Sequence, residues 1–116
     1  MKVVLLAAAC FWGVITAADI ASAQTWTPTS APTNLWSGIA CSADGTKLFA
    51  CAGNPSALTI ARSPICLSID GGLNWTNTTA PSNFWTGVAC SADGSHVVAI
   101  AGVPGGLYTS TDGGST

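Results

Sequence analysis

Residues 24–53 recur as residues 73–102 at a constant offset of 49 with no gap, and seventeen of the thirty positions are identical. The block Ala40-Cys41-Ser42-Ala43-Asp44-Gly45 returns unchanged as Ala89-Cys90-Ser91-Ala92-Asp93-Gly94. A repeat of this length marks stacked supersecondary units, each unable to bury its apolar face alone. A second signature, Ser68-Ile69-Asp70-Gly71-Gly72-Leu73-Asn74-Trp75, returns as Ser110-Thr111-Asp112-Gly113-Gly114-Ser115-Thr116 at an offset of 42. The first repeat therefore carries seven more residues than the second. They fall around 54–64, where Asn54-Pro55 and Ser63-Pro64 signal a loop.

Each repeat reads as four short strands. The first spans 35–42 and ends in the turn Ala43-Asp44-Gly45-Thr46; the second spans 47–52, with its counterpart at 96–101. The third spans 65–69, or 107–111 in the second copy, and the fourth spans 74–79. The second strands, Leu48-Phe49-Ala50-Cys51-Ala52 and Val97-Val98-Ala99-Ile100-Ala101, are apolar throughout, as suits strands covered on both faces.

The octet explains itself chemically. Gly71 and Gly72, like Gly113 and Gly114, take positive φ without a Cβ clash, as a tight hairpin turn requires. The carboxylates of Asp70 and Asp112 accept hydrogen bonds from turn amides that lack a ladder partner. Ser68 and Ser110 offer hydroxyls for similar local bonds, and Trp75 gives the outgoing strand a large apolar anchor. The pattern Ser-x-Asp-x-Gly-x-Asn-Trp resembles the Asp-box, or bacterial neuraminidase repeat, of sialidase-like β-propellers. The resemblance covers nearly all of residues 24–116 and implies an all-β fold of four-stranded antiparallel blades, about two of them present. Residues 24–34 would then be an orphan outer strand, 35–79 the first blade, and 84–116 an incomplete second blade. Closed propellers hold about four to eight blades. The chain is thus expected to be the amino-terminal part of a longer propeller or to associate with copies of itself, since two blades leave apolar faces and open edges.

The amino terminus has a different character. Lys2, an apolar run from Val3 to Ala18, and Ala21-Ser22-Ala23 form the pattern of a secretory signal peptide over 1–23, cleaved after Ala23. Sixteen apolar residues fall short of the ~20 needed to span a bilayer, so no membrane association is expected after cleavage. The expected location is secreted, periplasmic or extracellular. The remaining chain has Lys47 and Arg62 against Asp44, Asp70, Asp93 and Asp112, and no glutamate. Nucleic-acid binding is not expected, because it needs clustered cations to neutralise phosphates.

Four aspartates invite a glycosidase reading, but each precedes Gly in a turn, and turn clamping accounts for Asp44-Gly45, Asp93-Gly94, Asp70 and Asp112 alike. The resemblance implies that a sialidase would need three arginines, a Tyr/Glu pair and an Asp. After residue 23 the chain offers Arg62, Tyr108 and no glutamate, which excludes that activity for this stretch. His96 is the only histidine and is read as a solvated surface residue; no catalytic, metal or cofactor site is expected. Four cysteines remain after cleavage. If a bridge forms, the expected pair is Cys51 with Cys66 across neighbouring strands; buried free thiols are the equal alternative. Cys41 and Cys90, at one repeat position, read as small core residues. Trp26, Trp36, Trp75 and Trp85 recur at the repeat spacing and read as packing residues rather than sugar platforms. Asn74-Trp75-Thr76 and Asn77-Thr78-Thr79 fit the glycosylation sequon.

The functional expectation is a non-catalytic exported repeat module that binds protein or carbohydrate through its loops. The rival is the leading part of a secreted sialidase-like or other propeller glycoside hydrolase whose catalytic residues lie beyond Thr116. A third reading is a small disulfide-bonded β protein.

Overall fold

A computed structural model describes residues 25–53 and 62–116. The expected signal peptide 1–23 and most of the expected loop at 54–64 lie outside the described residues. Within them the chain is all-β with no helix, arranged as two antiparallel sheets. The first has four strands in the order β1 (Trp36–Cys41), β2 (Leu48–Ala52), β3 (Cys66–Ser68) and β4 (Thr76–Asn77). The second has three: β5 (Trp85–Cys90), β6 (Val97–Ala101) and β7 (Gly106–Ser110). Sequential neighbours pair in both, so each sheet is a meander.

The repeat is carried into the hydrogen-bond register. Cys41 opposes Leu48 as Cys90 opposes Val97, and Trp36 opposes Ala52 as Trp85 opposes Ala101. Both inner pairs shift register between the Trp and the Gly two residues on, leaving Ser37 or Thr86 as the extra residue of a β-bulge. The core lies between the sheets. Phe49, Cys51 and Ile65 of the first half meet Trp85, Val97, Ala99 and Ala101 of the second. Trp85 is fully buried and stands edge-to-face on Tyr108, with ring centroids 5.0 Å apart.

Several expectations need correction. The octet is wider than the tight hairpin turn expected of it. Leu67 opposes Thr76, so the β3–β4 connection encloses the eight residues 68–75, with Ser68 still paired to Leu48 at the end of β3, and the fourth strand shrinks to Thr76–Asn77. Residues 25–35 form no strand. β2 is buried at four of its five positions, whereas β6 alternates buried and exposed, because among the described residues only β2 has chain on both sides. Of the tryptophans, Trp85 is 0 % exposed but Trp36 is 39 % and Trp26 99 % exposed. Burial depends on whether a second sheet covers the position, which the residue's own repeat cannot specify.

Of the two alternatives held open for Cys51 and Cys66, a bridge or buried free thiols, the structure has the free thiols, both buried. Cys66 opposes Ala50, one residue out of step with Cys51, so the two side chains leave opposite faces of the sheet. Cys41 is exposed rather than a core residue, and Cys90 is half-buried.

Candidate functional site

The polar chemistry of the described residues is concentrated in four turns. In the loop of residues 68–75, Ser68 Oγ donates to Asp70 Oδ1 at 2.8 Å and accepts from the Gly72 amide at 2.8 Å. Asp70 Oδ1 accepts from the Asn74 amide at 2.9 Å, and Oδ2 from Asn74 Nδ2 at 2.7 Å. Trp75 Nε1 donates to the Gly72 carbonyl at 3.1 Å. Gly71 and Gly72 sit at φ 69° and 96°, which lets the backbone curl around the carboxylate. The second loop repeats this circuit. Ser110 Oγ donates to Asp112 Oδ1 at 2.7 Å, and the Ser115 and Thr116 amides donate to the same oxygen at 3.0 Å each. Gly113 and Gly114 again have positive φ.

The two Ser-Ala-Asp-Gly turns use a second circuit. Asp44 Oδ1 accepts from Ser42 Oγ at 2.6 Å, the Thr46 amide at 3.0 Å and Thr46 Oγ1 at 2.9 Å. Asp93 Oδ1 accepts from Ser91 Oγ at 2.6 Å, the Ser95 amide at 3.0 Å and Ser95 Oγ at 2.8 Å. Gly45 and Gly94 provide the positive φ at each turn. In each sheet the two kinds of turn are also tied together: the Gly71 amide donates to the Thr46 carbonyl at 2.9 Å, and the Gly113 amide to the Ser95 carbonyl at 2.7 Å.

Electrostatics follow from these bonds. The Ser42 hydroxyl, then the Thr46 amide and hydroxyl, lower the Asp44 pKa to about 2. The Asn74 amide and side chain, then Ser68, lower that of Asp70 to about 2. Asp93, through Ser91 and Ser95, and Asp112, through Thr116 and Ser110, are held lower still. A general acid in glycoside hydrolysis needs a raised pKa, and all four carboxyls move the other way. Burial raises the thiols of Cys51 and Cys66, so neither is primed as a nucleophile.

The remaining candidates are spread out. Arg62 lies over the Phe84 ring, its guanidinium carbon 5.5 Å from the centroid. Tyr108 is engaged by Trp85, and its hydroxyl accepts from Asn83 Nδ2 at 3.4 Å. His96 is exposed, its Nδ1 2.9 Å from Ser95 Oγ. No group of three His, Cys, Asp or Glu converges on a point among the described residues.

Sequence reasoning missed the joints between the sheets. Ser37 Oγ, from the bulge of β1, donates to the Trp85 carbonyl at 2.7 Å and the Cys51 carbonyl at 3.1 Å. Lys47 Nζ donates to the Asp93 carbonyl at 3.0 Å, and the Ala43 amide to the Ala92 carbonyl at 2.7 Å. The trace of the Ser37 joint in the sequence is a hydroxyl at the same repeat position, Thr86, which in the second sheet donates to the Ile100 carbonyl at 3.2 Å. Two cavities flank the first sheet. One, of about 200 Å³, lies between the sheets and is lined by Phe49, Ile65, Thr78, Ala80, Val97 and Ala99 among others. The other is a more open groove of about 360 Å³ on the far face, lined by Thr29, Ala31, Trp36, Gly38, Ile39, Leu48, Ala50 and Trp75. Compared with known protein families, with curated proteins and with solved structures, the chain matches none.

Proposed function

We propose that this chain is a non-catalytic, exported β-propeller repeat module of the Asp-box kind, a scaffold that binds a protein or a carbohydrate. The observation that carries the reading is the fate of the four carboxylates. Each accepts at least three hydrogen bonds from groups of its own turn and is held well below the usual carboxylate range. Groups committed in this way hold loops; they do not shuttle protons. Two meander sheets packed face to face in the same sense are what consecutive blades require, and the shared register of the repeats supports that architecture. What such a module offers to a partner is the set of loops at the strand ends, where Ile69, Leu73 and Val103 stand exposed.

The test has two arms. Hydrolysis of a panel of fluorogenic aryl glycosides, sialosides included, is expected to stay at background, while a glycan array and a library of exported proteins are screened for binding. Turnover that disappears in Asp70→Asn or Asp112→Asn, with folding intact, would overturn the reading.

A further inference from the structure

The interface between the two sheets has a counterpart, split in half, on the two outer faces of the molecule. By the repeat offset of 49, Thr29, Ala31, Leu48 and Ala50 are the equivalents of Thr78, Ala80, Val97 and Ala99. The first four line the open groove and the second four line the cavity between the sheets. The cavity is closed by Phe49 and Ile65, and Cys51 completes that wall of the core. The equivalents of these three are Val98, Leu107 and Ile100, which stand 38 %, 68 % and 52 % exposed on the far side of the second sheet. One end of the molecule therefore presents the pocket and the other end presents the side chains that fill it.

The sheet edge tells the same story. In the first sheet β4 pairs with β3 through Cys66 opposite Asn77 and Leu67 opposite Thr76. Their equivalents are Tyr108 and Thr109 on β7, whose outer edge has no partner strand among the described residues, and Pro28 and Thr27 on the exposed segment before β1. Pro28 fits that role. The Thr78 amide donates to the Ile65 carbonyl at 2.9 Å, which makes Cys66 and Asn77 a pair whose amides face away from each other. A proline at that position costs no ladder bond.

We infer that a second copy of this chain docks head to tail on the first. Val98, Ile100 and Leu107 of one copy enter the groove at Trp36, Leu48 and Ala50 of the next, and residues 27–28 of that next copy add a fourth strand to β7. The inference rests on the blade reading above and extends it. Such contacts are heterologous, so assembly continues until the rotation closes a ring. With two blades per chain and about four to eight blades per ring, closure takes roughly two to four copies.

The mass of the purified chain in solution, by light scattering, is the first measurement, and roughly two to four chain masses are expected. Trp36→Lys spoils the groove and Leu107→Lys spoils the filling face, so each variant alone falls to one chain mass with its β-sheet circular dichroism retained. Mixed together, the two variants recover one intact interface and form a heterodimer. Ile100→Lys replaces Leu107→Lys should that variant lose its sheet signal. Thr27→Pro lowers assembly, because it removes an amide that points at β7, whereas Pro28→Thr does not. A wild-type chain that stays at one mass at every concentration overturns the inference, as does a variant mixture that fails to pair. A longer natural polypeptide whose own further strands cover both faces also overturns it. None of these results bears on the hydrolysis and binding assays, so the two readings fail separately.

Discussion

Asp70 and Asp112 do the same work from two repeats, and their chemistry sets how the protein responds to acid. Asp44 and Asp70 titrate near 2 in the folded chain against 3.8 for an unperturbed carboxyl, and Asp93 and Asp112 lie lower. The unfolded chain therefore takes up protons at a higher pH than the folded one. Stability from these turns is fully present above about pH 4, erodes as pH falls below that, and is lost through and below pH 2. A series of urea midpoints between pH 6 and pH 2 is expected to follow that curve, and Asp70→Asn with Asp112→Asn should flatten it. Asp44, Asp93 and Asp112 are exposed and Asp70 is half-buried, so salt will also reduce the effect. The role of these aspartates in turns was legible in the sequence because Ser-x-Asp and Asp-Gly are local chemistry. The eight-residue length of the Asp70 loop was not, since it depends on Leu67 pairing with Thr76 rather than with a nearer residue.

At the scale of the element, identical residues meet different surroundings. Gly53 and Gly102 close the second strand in each repeat. A Cβ on Gly53 would lie 2.5 Å from the Trp85 carbonyl oxygen and 2.6 Å from its nitrogen, both backbone atoms that cannot swing aside. A Cβ on Gly102 would meet nothing closer than 3.4 Å. Gly53→Ala is expected to cost about 1–3 kcal/mol by overpacking the joint. Gly102→Ala should stay within roughly 0.5 kcal/mol. Urea unfolding of the two variants checks the contrast. The same logic explains which expectations about strands failed. The apolar run of β6 matches that of β2, yet Val98 and Ile100 remain exposed where Phe49 and Cys51 are buried. Sequence pattern predicts which face a residue takes and leaves open what lies against that face. Strand order, hairpin positions and the antiparallel sense were readable from the repeat; the bulges at Ser37 and Thr86 were not, because they arise from the fit of two strands rather than from either alone.

Across the whole molecule the two sheets are joined by more than contact. The Thr78 amide bonds to the Ile65 carbonyl just before β3, while the Thr79 amide bonds to the Gly114 carbonyl in the turn after β7 at 3.1 Å. Asn83 exchanges backbone bonds with Ser63 at 3.1 Å each way, and Phe84 accepts from the Gly102 amide at 2.6 Å. Tryptophan fluorescence and far-ultraviolet circular dichroism are therefore expected to report one coincident urea transition. Two separated transitions would show that the sheets melt independently. The linker at 78–84 thus belongs to both neighbours at once, and this constrains how such a gene can change. A recombination breakpoint inside it would strip hydrogen bonds from two sheets together, whereas gain or loss of one whole period restores every joint. The heritable unit of this architecture is the interval from one linker to the next, and its copy number is the quantity that can vary without unravelling what remains.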